Sequence, residues 1–94
     1  MEKELQENVA RRLTKIAGQV AGVQKMVESD RYCVDVLTQI AAIRSALHAV
    51  GVEVLAGHVR HCVSGTEHQH EKAAPHDPEK LIAELRDSLN RFAK

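Results

Sequence analysis

Tryptophan is absent from this chain of 94 residues, and Tyr32 and Phe92 are its only members of the Phe–Trp–Tyr class. Five glycines and two prolines are too few for a turn-rich β-sandwich or a low-complexity segment. No apolar run approaches the roughly 18 residues of a membrane span. The residues after Met1 (Glu2, Lys3, Glu4 and Gln6) leave no apolar core for a secretory signal. No Gly-rich phosphate loop is present, nor a convincing nucleophile–base–acid set, so the chain is not expected to be an enzyme. Net charge is equally uninformative: thirteen Lys and Arg balance thirteen Asp and Glu. Together these absences describe one small cytoplasmic domain over residues 1–94, all-α, with no membrane partner.

A chain this short buries only about 60–65% of its unfolded surface. The shortage of rings thins that core further. Association with copies of itself is the natural remedy.

What is present is helical periodicity. Leu5, Val9, Leu13, Ile16, Val20, Val23 and Val27 recur at steps of three and four, which makes a helical stripe over about residues 4–28. Gly18 and Gly22 interrupt it four apart and allow another helix to approach closely. The stripe stops before Tyr32, where Ser29 or Asp30 can cap the next helix. A second helix spans about residues 31–63, with Val36, Ile40, Ile43, Leu47, Val50 and Val54 on one face. Val34, Leu37, Ala41, Ala49, Val52, Leu55 and Val59 make other faces apolar too. One chain lacks the helices to cover so much surface, so oligomerisation follows. The alternation Val50-Gly51-Val52-Glu53-Val54 imitates a strand, but it is short and continues the helical stripe in phase; Gly51 and Gly57 are where a kink would fall. Ser64–Asp77 reads as a polar loop. Asp77-Pro78-Glu79 then opens a third helix over about residues 78–93, carrying Leu81, Ile82, Leu85, Leu89 and Phe92.

Charge is uneven along the chain. Residues 8–27 hold Arg11, Arg12, Lys15 and Lys25 and no acid, whereas residues 63–94 carry five bases and six acids. The cationic stretch is either an ordinary solvated helix face or a patch that contacts phosphate.

Cys33 and Cys62 are the only cysteines, and neither lies in a CxxC pair. A reducing compartment disfavours a stable disulfide between them. Taken singly, each reads as a buried core thiol. His58 changes that reading. His58 and Cys62 are four apart on one helix, so an imidazole and a thiolate project from the same face one turn apart. Cys33 precedes His58 by 25 residues. On one straight helix that is roughly 37 Å, too far for a shared ion. Two copies of the helix lying antiparallel, crossing near Ala46 and Leu47 among the small residues Ala41, Ala42 and Ala49, bring Cys33 of one to His58 and Cys62 of the other. A two-fold interface then makes two such sites. Two thiolates and one imidazole form a soft three-donor set suited to Cu(I), whereas structural Zn²⁺ favours four donors. His61 points away from Cys62, and His68, His70 and His76 read by default as solvated loop residues. His68 and His70 are nonetheless within reach as further donors, so Cu(I) is favoured and Zn²⁺ stays open.

Several segments resemble the CsoR/RcnR family of small bacterial metal-sensing repressors. They are Arg11-Arg12-Leu13, Gly18-Gln19-Val20 with Gly22, Tyr32-Cys33-Val34-Asp35-Val36, Gln39-Ile40-Ala41-Ala42, and His58 through Cys62. The resemblance covers the chain from about residue 9 onward, and the Cys…His-x-x-x-Cys pattern is similar to the copper-sensing branch. It implies a three-helix protomer, an antiparallel four-helix-bundle homodimer, and a dimer of dimers, or homotetramer. It implies a repressor that holds double-stranded operator DNA when metal-free and releases it on binding Cu(I), derepressing copper-resistance genes. Cys33, His58 and Cys62 carry over as metal ligands, Tyr32 and Glu84 as residues just outside them, and Arg11, Arg12 and Lys15 as the DNA-binding surface. Ala49 stands where some relatives have a base. No His lies before His48, unlike nickel and cobalt sensors; persulfide sensors lack the His, and formaldehyde sensors lack a thiol at position 62. Rival expectations are a sensor of persulfide or of several metals including zinc on the same fold, a cytosolic copper-binding protein without a DNA role, and a structural helical oligomer with unused thiols.

Overall fold

The computed structural model describes residues 1–64 and 78–93, with the side chains of residues 61–64 outside the described set. Three helices and no strand occur among those residues: α1 (Lys3–Glu28), α2 (Cys33–Ser64) and α3 (Pro78–Ala93). Five of the six helix ends carry a charge that suits them. Glu4, Asp35 and Glu79 place acid in the first turns of the three helices, and Lys25 and Arg91 place base in the last turns of α1 and α3. Those are the signs the helix dipole favours.

The turn between α1 and α2 differs from the sequence expectation. Ser29 and Asp30 finish α1 rather than cap α2. Asp30 takes φ +56°, the left-handed conformation that Asp tolerates better than most residues. Its N–H donates to the Val27 carbonyl at 3.1 Å, and the Arg31 N–H donates to Met26 at 2.9 Å. This pair of bonds is a Schellman termination with Asp in the usual glycine position. The Ser29 hydroxyl also turns back, onto the Lys25 carbonyl. Chain reversal therefore needs only a few residues, and α2 opens with the Val36 N–H on the Tyr32 carbonyl at 3.2 Å.

α1 and α2 form an antiparallel hairpin. Leu5 near the start of α1 lies on Gly57 near the end of α2, and Arg12 faces Glu53. Leu5, Val9, Ile16 and Val50 make the buried core, backed by Ile43, Ala46 and Val54. Gly57 allows that contact: a β-carbon there would meet the end of the Leu5 side chain, which would have to move. α2 passes through Gly51 and Gly57 as one helix of 32 residues. Gly51 likewise admits the Phe92 ring of α3, which stacks on His48 with centroids 4.9 Å apart and planes 10° from parallel. Phe92 is thus the visible anchor of α3, a helix with no buried residue among those described.

Much of the apolar periodicity stays uncovered. On α1, Leu13, Val20 and Val27 are exposed; on α2, Val34, Leu37, Ile40, Leu47, Val52 and Val59 are exposed. Gly18 and Gly22, expected to admit a neighbouring helix, face open space in the single chain. α2 is consequently apolar well beyond the face α1 covers. Cys33–Arg60 is in fact long and apolar enough, by length and composition, to cross a membrane. The sequence expectation differed because Asp35, Arg44 and Glu53 break the contiguous run without lowering the average enough to fail that test. A helix packed on several sides by other helices has the same composition.

Candidate metal centre

The unbroken course of α2 decides what the three donors can do. Cys33 is the first residue of α2 and is exposed. His58 is half-buried near the other end. The 25 intervening steps along one continuous helix, at about 1.5 Å each, separate these residues by roughly 37 Å. Cys62 lies one turn beyond His58 on the same helix; its side chain lies outside the described residues. Among the described residues, no group of three His, Cys, Asp or Glu side chains converges on a point. By helix position, His58 and Cys62 are therefore neighbours near one end of α2, and Cys33 stands at the other.

Tyr32 adjoins Cys33 and is exposed. Glu84 lies exposed near the middle of α3. His68, His70 and His76 fall outside the described residues.

The cationic part of α1 is more built than its sequence suggests. The Arg11 Nη2 donates to Asn8 Oδ1 at 2.8 Å. Asn8 Nδ2 in turn donates to Glu53 Oε1 on α2. Arg12 Nη1 stands 3.3 Å from the other oxygen, Oε2, of the same carboxylate. Lys15 is exposed one turn on. Arg12, Lys15, Ile16, Gln19, Ala46, Ala49 and Val50 line a shallow cavity of about 320 Å³ between the helices. The Gln19 Oε1 is buried there and accepts no hydrogen bond within the described residues.

Asn8 and Glu53 were not singled out by the sequence reading. A signal for Glu53 existed: it is a lone acid in the apolar run Val50–Leu55, opposite a stretch of α1 with no acid of its own. The stacking of His48 on Phe92 left no comparable trace, because the two residues are far apart in sequence and neither pattern implies the other.

The fold and the residues at its ends define a class: an all-α chain with a cysteine at one end of its longest helix, a histidine near the other, and a cationic stretch on the helix that packs beside it. Residues 5–91 match the family of metal-sensitive transcriptional repressors, and the chain belongs to that family. It is 41% identical over 88 residues to the copper-sensing transcriptional repressor CsoR of Bacillus subtilis, covering 94% of this chain and 81% of that protein. Over 58 residues it is 50% identical to the copper-sensing transcriptional repressor RicR of Mycobacterium tuberculosis, which spans 62% of this chain and 60% of that one. Among solved structures it resembles the copper-sensing repressor CsoR with Cu(I) from Geobacillus thermodenitrificans. The TM-score is 0.80 and the identity 45%, over 100% of this chain and 92% of the other.

Proposed function

We propose that this chain is a Cu(I)-responsive transcriptional repressor of the cytoplasm, working as a homodimer or dimer of dimers. Metal-free, it holds double-stranded operator DNA; with Cu(I) bound it lets go, and copper-resistance genes are expressed. The observation that carries the reading is the continuity of α2 from Cys33 to Ser64. It puts a lone thiol and an imidazole–thiol pair at opposite ends of one rod. Two such rods laid antiparallel complete two donor sets at once, and the uncovered apolar residues Ile40 and Leu47 near the crossing supply the contact. The similarity to repressors described as copper-sensing supports the same conclusion.

Cys33 of one copy and His58 with Cys62 of the other would hold the ion. Two thiolates and one imidazole fit soft, low-coordinate Cu(I) better than Zn²⁺. Tyr32 and Glu84 are assigned to orient these donors from outside, the usual task of groups that neighbour a ligand. Arg11, Arg12 and Lys15 are assigned to DNA phosphates, with sequence preference coming from duplex shape rather than base stacking, since rings are so scarce. Tying helix ends together changes where α2, and the α1 residues packed on it, can sit. Two sites linked in this way typically couple by roughly 1–3 kcal/mol, or about 5- to 150-fold in affinity.

A mobility-shift assay on the duplex upstream of the chain's own gene tests the reading. Metal-free wild type should retard that duplex, and Cu(I) should release it. The Cys33→Ala variant should bind as well as wild type but ignore Cu(I). Release of that variant by Cu(I), or equal release of wild type by Zn²⁺ or a persulfide donor, would refute the assignment.

A further inference from the structure

One of the arginines assigned to DNA, Arg12, already faces an anion of the chain's own. Glu53 reaches across from α2. Its Oε1 accepts a hydrogen bond from Asn8, which also accepts one from Arg11 at 2.8 Å. Its Oε2 lies 3.3 Å from Arg12 Nη1, yet that oxygen is buried and accepts no hydrogen bond among the described residues. The Arg12 contact is therefore charge proximity without alignment. Exposure is unequal too, 49% for the Arg12 side chain against 27% for Glu53. The carboxylate is pinned by Asn8; the guanidinium is the partner free to turn outward.

An incoming phosphate meets Arg12 with a like-charged carboxylate a few ångströms behind it. We infer that Glu53 is an intramolecular rival of DNA phosphate for Arg12, which holds down the affinity of the metal-free protein. The inference rests on the repressor reading and adds a reason for it. A coupling of about 5- to 150-fold can empty an operator only if the starting affinity is not too high. A fixed internal anion keeps it within that range.

The test compares Glu53→Gln, which removes the charge and keeps the shape, with Glu28→Gln, the same charge change on an exposed residue at the far end of α1. Glu53→Met, similar in length and uncharged, guards against a folding defect in the first variant, with circular dichroism melts confirming structure. Immobilised heparin serves as a polyanion that needs no operator sequence, and the upstream duplex is titrated by fluorescence anisotropy across a salt series. Glu53→Gln should leave heparin at higher salt than Glu28→Gln. It should bind the duplex about two- to five-fold more tightly, as freeing one partly exposed ion pair allows, with a salt slope steeper by up to about 0.9. In an Arg12→Ala background the gain should vanish. Coincidence of Glu53→Gln with Glu28→Gln, or a gain that survives Arg12→Ala, would overturn the inference. If wild type ignores the duplex, the repressor reading fails, and the heparin comparison still decides the role of Glu53.

Discussion

Two defective chains should repair each other. Cys33→Ala removes the lone thiol at the start of α2, and His58→Ala removes the imidazole near its end. If each donor set draws on two copies, neither variant alone has a complete set. A mixed dimer has one: the His58→Ala chain lends Cys33, and the Cys33→Ala chain lends His58 and Cys62. Its other set lacks both. Random association makes about half of all dimers mixed, and half the sets in each are whole, so the mixture should recover about one quarter of wild-type Cu(I) capacity. The geometry leaves no route within one chain, because roughly 37 Å of helix separates the donors. Equal amounts of the two variants, unfolded together and refolded without oxygen, are titrated with Cu(I) against a competing chelator that strips two-donor sites. Failure to recover any tight capacity, or full tight capacity in either variant alone, would refute the subunit-bridging site.

Two further expectations concern the fold that presents these donors. Leu5 is 6% exposed and packs on Gly57; Leu5→Ala should cost about 2–5 kcal/mol, read by urea unfolding at fixed chain concentration, and a loss under about 1 kcal/mol would show that this end of the hairpin is not core. Gly51→Ala should gain helix propensity of about 1 kcal/mol but push the Phe92 ring off His48 and free the C-terminal end of α3. Phe92 is the only phenylalanine, so one fluorine resonance from labelled protein reports its surroundings; an unmoved resonance would contradict the packing.

The helices were legible because periodicity is a local property. Stripes at steps of three and four located α1, α2 and α3 within about two residues of where they run. Which stripe members are buried was not legible, because burial depends on neighbours. Leu13 lies between the buried Val9 and Ile16 yet stays exposed, because at about 100° per residue it and Val20 fall on one flank of the stripe while Leu5 and Ile16 fall on the other. Ser29 and Asp30 have the composition of an N-cap, yet the left-handed Asp30 makes them the end of α1. Residue type alone would put a free thiol in the core, but the donor spacing sends Cys33 to a second copy, and as the first helical residue at the tip of the hairpin it is exposed in one chain. For the candidate site, helix arithmetic already separated Cys33 from His58. The Asn8–Glu53–Arg12 network was hidden because it joins residues 45 and 41 positions apart, and only the register of the hairpin brings them together.

The length of α2 has an evolutionary consequence. When one rod carries complementary donors at its two ends and pairs with its own reverse, the rod is a ruler, and the same ruler measures both sites. A point substitution on its solvent side is forgiven. Insertion or deletion of a single residue rotates one end by about 100° and slides it by about 1.5 Å, so both sites fall out of register together. Relatives that keep this chemistry should therefore vary on the solvent side of the helix between Cys33 and His58 while holding the count of intervening residues constant.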